Sequence, residues 1–488
     1  MSQQLKDILY KVSLVSTKGN MEVDITQLTF DSRNISAGAA FIAIPGTQVD
    51  GHAYIEKAIK KGAQAIVCEH LPENLEEGIT YVQVVDAPRS MGLMAANFYN
   101  HPSEKIKIVA VTGTNGKTTT VTLLHQLYTE LGYSAGLIST VENKIKEQII
   151  PASHTTPDAI SINELLVKML KEGCTHCFME ASSHAIVQER TAGLKFAGAL
   201  FTNLSHDHLD YHGDFDHYIK AKKKLFDELP KEAFALVNAD DKRGLVMLQN
   251  SKARHYTFAL RYPADFKARI IDNSIQGLEM DLDGKSVWFR LTGEFNAYNL
   301  LGVLGIAQLL GENEEEVLRQ LSMLKGAVGR FDLLIQGGIT AIIDYAHTPD
   351  ALENVLKTIQ KLRTGSETLV TVVGCGGNRD KTKRPIMAKI ACKFSNKVIL
   401  TSDNPRDEDP MAIINEMEAG LSPIDQRKVL SIEDRKSAIK TACHLLKPGD
   451  IVLIAGKGHE TYQEIKGVKH PFDDKKIVSD LLKLLFKD

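Results

Sequence analysis

Between Lys105 and Leu229, short apolar runs alternate with segments whose apolar residues recur at helical spacing. This alternation predicts a mostly parallel sheet that is covered by helices. The second helix is expected to begin near Asp158, with Thr156 as its N-cap and Pro157 at its first position. The predicted strands are KIVAVTG, HCFMEAS and FAGALFTNL, and the predicted helices are KTTTVTLLHQLYTELG, DAISINELLVKMLKEG and DHYIKAKKKLFDEL.

The pattern changes twice along the chain. Residues 1 to about 100 read as short strands and turns that end in a helix through RSMGLMAANFYN, and His101-Pro102 interrupts that helix. Residues 255–292 read as short strands, which suggests an antiparallel insertion or sheet edge, and two helices follow. After GAVGRFD the strand and helix alternation restarts, so three domains are predicted, with bounds 1–104, 105–330 and 331–488.

Charge and composition exclude several function classes. Lys and Arg number 58 against 61 Asp and Glu, so the net charge of -3 provides no general attraction for nucleic acid or for an anionic membrane. The first twenty residues lack the apolar core of a signal peptide, and no apolar run is long enough to span a bilayer. The sequence therefore predicts a cytoplasmic protein with small-molecule partners, and we expect a monomer.

The six cysteines lie mostly within apolar strand or helix patterns, which is typical of buried reduced thiols. Cys174 and Cys177 form a CxxC pair, which is a pattern of metal or redox sites. No second CxxC is present, and the pair enters a strand instead of opening a helix, so a structural role is favoured.

The segment GTNGKTT follows an apolar strand and opens a helix, which is the context of a phosphate-binding loop. Gly113 and Gly116 allow backbone N–H groups to wrap phosphate, Lys117 can reach the β and γ oxygens, and the Thr118 hydroxyl can hold Mg2+. The loop is shorter than GxxxxGK[ST], and no guanine-reading NKxD is present. Nucleotide binding is thus predicted, with a motor or helicase still open as an alternative to a synthetic enzyme.

Chemically active side chains cluster where other predicted strands end. Glu180 closes HCFME, and the run SHDHLDYHGDFDH follows FAGALFTNL, so Glu180 and one histidine of the run could complete a Mg2+ site with Thr118. In the last third, four strands run into His347, Arg379, the Asp403 to Arg406 segment and Glu460. Ligands bind beyond the carboxyl ends of strands in open α/β sheets, so these residues are predicted to share one crevice.

In this order, the segments TGTNGKTTT, MEASSHAIVQER, FTNLSHDHLDYHGDFDHYIKAK, GEFNAYNLLG, GRFD, DYAHTPDAL, GCGGNRDKTKRP, DNPR and AGKGHE closely resemble the Mur ligase family. The resemblance covers nearly the whole chain. It implies an α/β protein with a small N-terminal α/β domain, a central P-loop-type parallel sheet with helices, and a Rossmann-like C-terminal domain. It also implies ATP and Mg2+ as co-substrate and cofactor.

The likeness is greatest to members that attach meso-2,6-diaminopimelate to the γ-carboxylate of UDP-N-acetylmuramoyl-L-alanyl-D-glutamate through an acyl phosphate. The runner-up activities are addition of L-lysine, a folylpolyglutamate-type ligation and a P-loop NTPase that is not a ligase. Arg406 favours diaminopimelate, because its planar fork can take a distal carboxylate that lysine lacks.

The resemblance also assigns site residues. In the N-terminal domain, the Asp31 to Arg33 stretch and the turn Thr47-Gln48-Val49 would hold the uridine nucleotide. Carbamylation is implied for Lys222, which would then supply an anionic oxygen to the metal. The residues implied for the UDP-muramoyl-dipeptide are Phe30, Ser32, Thr47, Gln48, Val49, His154, Thr155, Thr156, Ser182, Gln188 and Arg190. Those implied for ATP are Gly113, Thr114, Asn115, Gly116, Lys117, Thr118, Thr119, Asn296, Arg330, Asp344 and His347. Those implied for diaminopimelate are Arg379, Asp403, Asn404, Pro405, Arg406, Gly456 and Glu460. The catalytic set is Lys117, Glu180, His208 and Lys222, and the metal set is Thr118, Glu180, His208 and Lys222.

Overall fold

The computed structural model describes residues 2–46, 49–152, 154–205 and 209–486, without the side chains of Leu209 and Asp210. The chain packs into two units. The first unit comprises Met1–Lys267 and Tyr298–Gln320, and the second comprises Ala268–Ala297 and Leu321–Asp488. Each unit is built on α/β layers.

The N-terminal part of the first unit is a five-stranded sheet of order β2-β7-β6-β5-β4, in which only β2 runs antiparallel to its neighbour. Its inner strands, such as AAFI, are continuous apolar runs because both faces of the sheet are covered. The elements are β1 Gln3–Gln4, α1 Leu5–Ile8, β2 Leu14–Lys18, β3 Asp24–Ile25, β4 Gln27–Thr29, β5 Ala39–Ile42, α2 Ile55–Lys60, β6 Ala63–Cys68, β7 Thr80–Val84 and α3 Ala87–Phe98.

A nine-stranded sheet of order β11-β10-β9-β12-β8-β13-β14-β15-β16 forms the rest of the first unit. The seven strands from β9 to β16 in that order are parallel, as expected. The elements are β8 Lys107–Thr112, α4 Lys117–Glu130, β9 Ala135–Ile138, β10 Asn143–Ile145, β11 Gln148–Ile150, α5 Ala159–Lys171, β12 His176–Glu180, α6 Ser183–Val187, β13 Gly198–Phe201, α7 Leu209–His212, α8 Phe215–Asp227, β14 Phe234–Asn238, α9 Gly244–Leu248, β15 Arg254–Ala259 and β16 Phe266–Lys267.

The stretch 255–292 divides between two sheets, so the expectation of one antiparallel insertion or edge was partly wrong. β15 and β16 extend the parallel sheet, and only the three strands after them form an antiparallel sheet of their own. The elements that follow β16 are β17 Arg269–Ser274, β18 Gly277–Leu282, β19 Lys285–Phe289, α10 Glu294–Leu310 and α11 Glu314–Met323.

The second unit contains a six-stranded sheet of order β20-β21-β25-β22-β23-β24, parallel except for β20. Apolar clusters cover both of its faces. Its elements are β20 Asp332–Gln336, β21 Ile339–Asp344, α12 Pro349–Leu362, β22 Leu369–Val373, α13 Lys383–Phe394, β23 Lys397–Leu400, α14 Pro410–Glu418, α15 Pro423–Gln426, β24 Val429–Ser431, α16 Arg435–His444, β25 Ile451–Ala455, β26 Tyr462–Ile465, β27 Val468–Pro471 and α17 Asp474–Leu485.

The predicted cap of α5 was wrong. The N-cap is Asp158, whose carboxylate accepts a hydrogen bond from the N–H of Ser161 at 3.0 Å. The hydroxyl of Thr156 instead donates to the carbonyl of Glu180 at 2.8 Å. A tertiary contact therefore holds Thr156, and the helix begins two residues later.

The six cysteines are free thiols and all are buried, which confirms the prediction of buried reduced thiols. Burial raises the pKa of the Cys174 and Cys177 thiols, so both stay protonated near neutral pH. In the part of the chain that the structure describes, no helix has the length and apolar character needed to cross a bilayer.

Candidate active site

The phosphate-loop candidate joins β8 to α4, and its two glycines are required by close contacts. Gly113 has φ 148°, and a Cβ there would lie 1.9 Å from Oγ1 of Thr202. Gly116 has φ 87° at the N-cap of α4, and a Cβ there would lie 2.5 Å from Oδ1 of Asn299. Both positions therefore exclude a side chain.

The segment after β13 fixes the loop in place. Asn203 accepts hydrogen bonds from two loop amides, through its carbonyl from Thr114 at 2.8 Å and through Oδ1 from Asn115 at 3.0 Å. Thr202 Oγ1 donates to the Asn115 carbonyl at 2.6 Å. The N–H groups of the first turn of α4 have no intrahelical partner, so they are suited to phosphate oxygens. Sequence reasoning missed both anchors, although their position after the strand beside β8 was a usable signal.

Two lysines converge on the loop. Lys117 Nζ donates to the carbonyls of Gly113 and Thr114, at 2.8 Å each. Lys222 Nζ, on α8, donates to the same Gly113 carbonyl at 2.9 Å and lies 4.6 Å from the ring centre of Tyr218. The side chain of Lys222 is buried. Two ammonium groups on one carbonyl oxygen concentrate positive charge where phosphate is expected.

Glu180 ends the strand beside the loop strand. β12 pairs with β8 so that Glu180 lies opposite Val111, two residues before Gly113. Its Oε1 accepts a hydrogen bond from the N–H of Thr140 at 2.7 Å. Its Oε2 is buried and has no hydrogen-bond partner among the described residues. A buried carboxylate oxygen without a hydrogen-bond donor is suited to bind a cation.

The proposed metal set is only partly described. Thr118 is buried in the first turn of α4. Glu180 ends β12 and Lys222 lies on α8, while His208 lies outside the described residues. Within the described ranges, no group of three or more His, Cys, Asp or Glu side chains forms a metal site. The fit to Mg2+ therefore rests on the Glu180 oxygen and on the oxygen chemistry of Thr118.

Five of the residues implied for the UDP-muramoyl-dipeptide lie in one hydrogen-bonded network beside Glu180. Arg190 donates to the Thr156 carbonyl at 2.7 Å and to Gln188 Oε1 at 2.6 Å. Ser182 N–H donates to the Thr156 hydroxyl, and Thr155 accepts from Thr140 at 3.1 Å. Burial lowers the pKa of Arg190, and its hydrogen bonds go to neutral groups, so it is suited to an anionic ligand. His154 is exposed beside this network.

The uridine-nucleotide candidates lie at the ends of two parallel neighbours, β4 and β5. After β4, Phe30 is exposed, Ser32 is buried, and Asp31 accepts hydrogen bonds from Arg33 that lower the pKa of its carboxyl. After β5, Val49 is exposed, and Thr47 and Gln48 lie outside the described residues.

The four strand ends of the second unit meet at one edge. β21, β25, β22 and β23 are adjacent and parallel, so the residues that follow them lie along the same side of the sheet. Asn404 Nδ2 donates to Glu460 Oε2 at 2.8 Å. The fully buried Lys457 bridges them, with Nζ at 2.9 Å from Asn404 Oδ1 and 3.1 Å from Glu460 Oε2. Sequence reasoning missed Lys457, although it lies within AGKGHE.

The two candidate arginines flank a glycine loop. Arg406 Nη1 donates to the Gly377 carbonyl at 2.8 Å, and Arg379 is exposed, with its Cγ 3.8 Å from where a Cβ of Gly376 would lie. A Cβ on Gly377 would lie 1.9 Å from the Pro405 carbonyl oxygen, so the DNPR segment packs directly on this loop.

Asp403 and Gly456 meet at the base of the same edge. A Cβ on Gly456 would lie 2.4 Å from Asp403 Oδ2. That oxygen is buried, has no hydrogen-bond partner among the described residues, and lies 3.9 Å from Nη1 of the fully buried Arg435.

An ion cluster around the buried Arg384 braces the glycine loop. Arg384 is fully buried and donates to both oxygens of Glu408 at 2.9 Å, and to Glu416 at 2.7 Å. Glu408 also accepts a hydrogen bond from the N–H of Asn378. The Arg384 guanidinium lowers the pKa of Glu408 to about 2, so the pair stays ionised at neutral pH.

The ATP-binding candidates are divided between the units. The loop residues 113–119 belong to the first, and Asn296, Arg330, Asp344 and His347 belong to the second. Two of these residues contact Tyr345. The Arg330 guanidinium lies 4.6 Å from the centre of the Tyr345 ring, and the centre of the His347 ring lies 4.6 Å from the same point. Asn296 is buried and donates to the Thr292 carbonyl at 2.8 Å.

Asp344 should make stability depend on pH. Burial raises the pKa of its carboxyl from 3.8 to about 6, against the opposing effect of Arg330. Between those values the folded chain keeps a proton that the unfolded chain has lost, so the contribution of Asp344 to stability falls as pH rises. We expect Asp344→Asn to gain stability relative to the wild type from pH 4 to pH 6, by about 3 kcal/mol at most. Denaturation midpoints at several pH values measure this, and a difference that is constant with pH would contradict it.

A nucleotide-type loop on a parallel sheet, together with a second parallel sheet that carries charged loops, is the arrangement of a multidomain nucleotide-dependent enzyme. Three family models match the chain in sequence order: "Mur ligase family, catalytic domain" at 24–99, "Mur ligase middle domain" at 111–307, and "Mur ligase, glutamate ligase domain" at 329–458. The chain belongs to the Mur ligase family.

Relatives match along their whole length. The chain is 60% identical to a UDP-N-acetylmuramoyl-L-alanyl-D-glutamate--2,6-diaminopimelate ligase of Cytophaga hutchinsonii, covering 99% of this chain and 100% of the relative. It is 54% identical to the ligase of the same name from Bacteroides fragilis, covering 99% of each. A solved structure of a ligase of that name superposes with a TM-score of 0.72 at 33% identity, covering 100% of both chains.

Proposed function

We propose that this protein uses ATP to attach meso-2,6-diaminopimelate to the γ-carboxylate of UDP-N-acetylmuramoyl-L-alanyl-D-glutamate, a step of peptidoglycan precursor synthesis. The similarity to ligases of that name supports the substrates. The observation that carries the chemistry is the placement of the phosphate loop beside Glu180 and beside the Arg190 network.

In the first step, a γ-carboxylate oxygen of the acceptor attacks the γ-phosphorus of ATP, and ADP leaves with the bonding electron pair. Lys117 and the first-turn N–H groups of α4 hold the phosphates and stabilise the charge on the transferred group. Arg190, with Gln188 and Thr156, orients the anionic acceptor. The product is an acyl phosphate.

In the second step, the neutral amine of diaminopimelate attacks the acyl carbon, and the tetrahedral intermediate expels inorganic phosphate and loses a proton. Arg406 binds the distal carboxylate of the amino acid, and Asn404 and Glu460 bind its ammonium end. Positioning two reactants in this way converts an encounter in solution into a step within a complex.

Mg2+ would be held by Thr118 and Glu180, with His208 and a carbamate of Lys222 as further ligands. When bound, Mg2+ neutralises charge on the phosphoryl oxygens. The buried Oε2 of Glu180 supports this assignment.

The test is phosphate release by purified protein with ATP, Mg2+ and the UDP-muramoyl dipeptide, comparing meso-diaminopimelate with L-lysine. We expect release that depends on diaminopimelate, and a tripeptide product by mass spectrometry. Preference for L-lysine would keep a ligase but overturn the role of Arg406. Release that no amino acid stimulates would indicate an NTPase that is not a ligase.

Lys222 is expected to be carbamylated. Conversion of its amine to a carbamate would replace one of the two ammonium groups on the Gly113 carbonyl with an anion. We expect Lys222→Ala to lower ligation about 100-fold or more. Protein in 13C-labelled bicarbonate should give a carbamate signal that Lys222→Ala lacks. Lys224→Ala removes a partly exposed lysine of the same helix, which pairs with Glu189 and Glu228, and should keep the signal. Wild-type protein with full activity and no such signal would contradict the carbamate.

A further inference from the structure

The β26–β27 hairpin is hydrogen-bonded to Asp403, Asn404 and Arg406 of the DNPR segment. Its backbone pairs with Arg406, whose N–H donates to the Glu464 carbonyl at 3.1 Å and whose carbonyl accepts from Lys466 N–H at 2.7 Å. Gln463 Nε2 donates to the Asp403 carbonyl at 2.8 Å, and Glu464 N–H donates to Asn404 Oδ1 at 2.9 Å. The hairpin therefore sets the conformation of the segment expected to bind the amino acid.

Glu464 also contacts the guanidinium of Arg406 directly. Its Oε2 lies 3.3 Å from Nε of Arg406, while Nη1 donates to the Gly377 carbonyl. Both side chains are about three-quarters buried, with exposed fractions of 24% for Arg406 and 27% for Glu464. Among the described residues, Nη2 of Arg406 makes no hydrogen bond. Two of its three nitrogens are thus held by the protein, and the third is left for a ligand.

The backbone of Arg406 makes this support necessary. Its φ is 52°, in the left-handed region that a non-glycine residue occupies at an energetic cost. An arginine side chain also has many rotamers, and ordering them on substrate binding costs affinity. The contacts at Nε and Nη1 order the side chain before the substrate binds, so the entropy loss on binding is smaller and the guanidinium is preorganised.

We propose that Glu464 is a positioning residue that sets the preference for an amino acid with a distal carboxylate, by holding Arg406 with Nη2 directed to that carboxylate. This proposal rests on the proposed function. It assigns a role to a carboxylate that lies outside the DNPR and AGKGHE segments. The nearby negative charge also weakens binding of a carboxylate, but partial solvent exposure screens that repulsion, whereas loss of orientation affects every Arg406 contact.

The experiment measures kcat and KM for meso-diaminopimelate in wild type, Glu464→Ala, Glu464→Gln, Arg406→Ala and the double variant Glu464→Ala/Arg406→Ala. Lys469→Ala is the control, because Lys469 lies opposite Glu464 on the other strand of the hairpin, is exposed, and has its Nζ over the ring of Tyr462. Ligation at saturating L-lysine and the melting temperature of each variant are recorded as well.

We expect Glu464→Ala to raise KM for meso-diaminopimelate about tenfold with little change in kcat, because orientation of a binding group is lost. Glu464→Gln, which keeps an amide oxygen or nitrogen in the place of the carboxylate beside Nε, should recover part of this loss. In the Arg406→Ala background, Glu464→Ala should cause no further rise in KM. The four KM values form a double-mutant cycle, which isolates the coupling between the two side chains. Lys469→Ala should resemble wild type.

An unchanged or lowered KM in Glu464→Ala, or effects that add in the double variant, would overturn the proposal. Equal losses for both amino acids together with a lowered melting temperature would assign Glu464 a structural role and would also overturn it. Failure of the wild type to ligate diaminopimelate would instead refute the proposed function, so the two failures are distinguishable.

Discussion

Lys117→Ala is expected to abolish ligation, with turnover lowered about 1,000-fold, because phosphoryl transfer depends on charge stabilisation by groups already in place. Lys117 Nζ is held by the carbonyls of Gly113 and Thr114 at the start of α4. This places the ammonium group of Lys117 at the loop that is expected to bind the β and γ phosphates. Alanine keeps the helix, since it is the best helix former, so the loss falls on catalysis and not on folding.

Phosphate release and tripeptide formation measure this effect, and the melting temperature tests whether the fold is kept. The matched control is Lys107→Ala, which removes an exposed lysine from the opposite end of β8 and should leave turnover unchanged. Ligation by Lys117→Ala at more than a tenth of the wild-type rate would rule out the role given to this lysine.

The fold class and the phosphate loop could be predicted because their signals are local. The β8 strand, the two glycines and α4 occupy one continuous segment, and each residue type has one conformational reason to be there. The positive φ of Gly116 and the contact of Gly113 with Thr202 match the glycines that the pattern required.

The errors and omissions arose from contacts between distant segments. Thr156 reads as a cap from its neighbours, but Glu180, twenty-four residues later, takes its hydroxyl. β15 and β16 read as short edge strands, and they are parallel only because β15 pairs with β14 and β16 pairs with β15. Sequence cannot give such pairing, because nothing local distinguishes the two directions.

The edge of the second unit's sheet, where the amino acid is expected to bind, also contains contacts that the sequence could not predict. Strand alternation predicted that Asn404 and Glu460 would lie along one edge, and a hydrogen bond joins them. Lys457, which fills the space between their oxygens, and Glu464, which holds Arg406, follow from the course of the chain after β25. A turn and a hairpin determine that course, and hydrophobic periodicity contains no information about it.

Glu180→Gln is expected to lower ligation about 100-fold to 1,000-fold while keeping or raising stability. The substitution keeps the shape of the side chain and an oxygen for the N–H of Thr140, but it removes the negative charge at the buried Oε2. A buried carboxylate oxygen without a hydrogen bond costs about 1–3 kcal/mol. If Glu180 had only a structural role, nothing in the fold would offset this cost. If Glu180 is a metal ligand, binding of the metal offsets it.

Mg2+ titrations of ligation separate these roles. In Glu180→Gln, the Mg2+ concentration for half-maximal rate should rise, because a carboxylate oxygen is replaced by a weaker ligand or by a donor. Glu172→Gln, at the exposed C-cap of α5, is the control and should leave the titration unchanged. A Glu180→Gln protein that ligates at the wild-type rate with an unshifted Mg2+ dependence would remove Glu180 from the metal site. A protein that loses both activity and melting temperature would show that the carboxylate supports the fold. The melting temperature of Glu180→Gln is therefore as informative as its loss of rate.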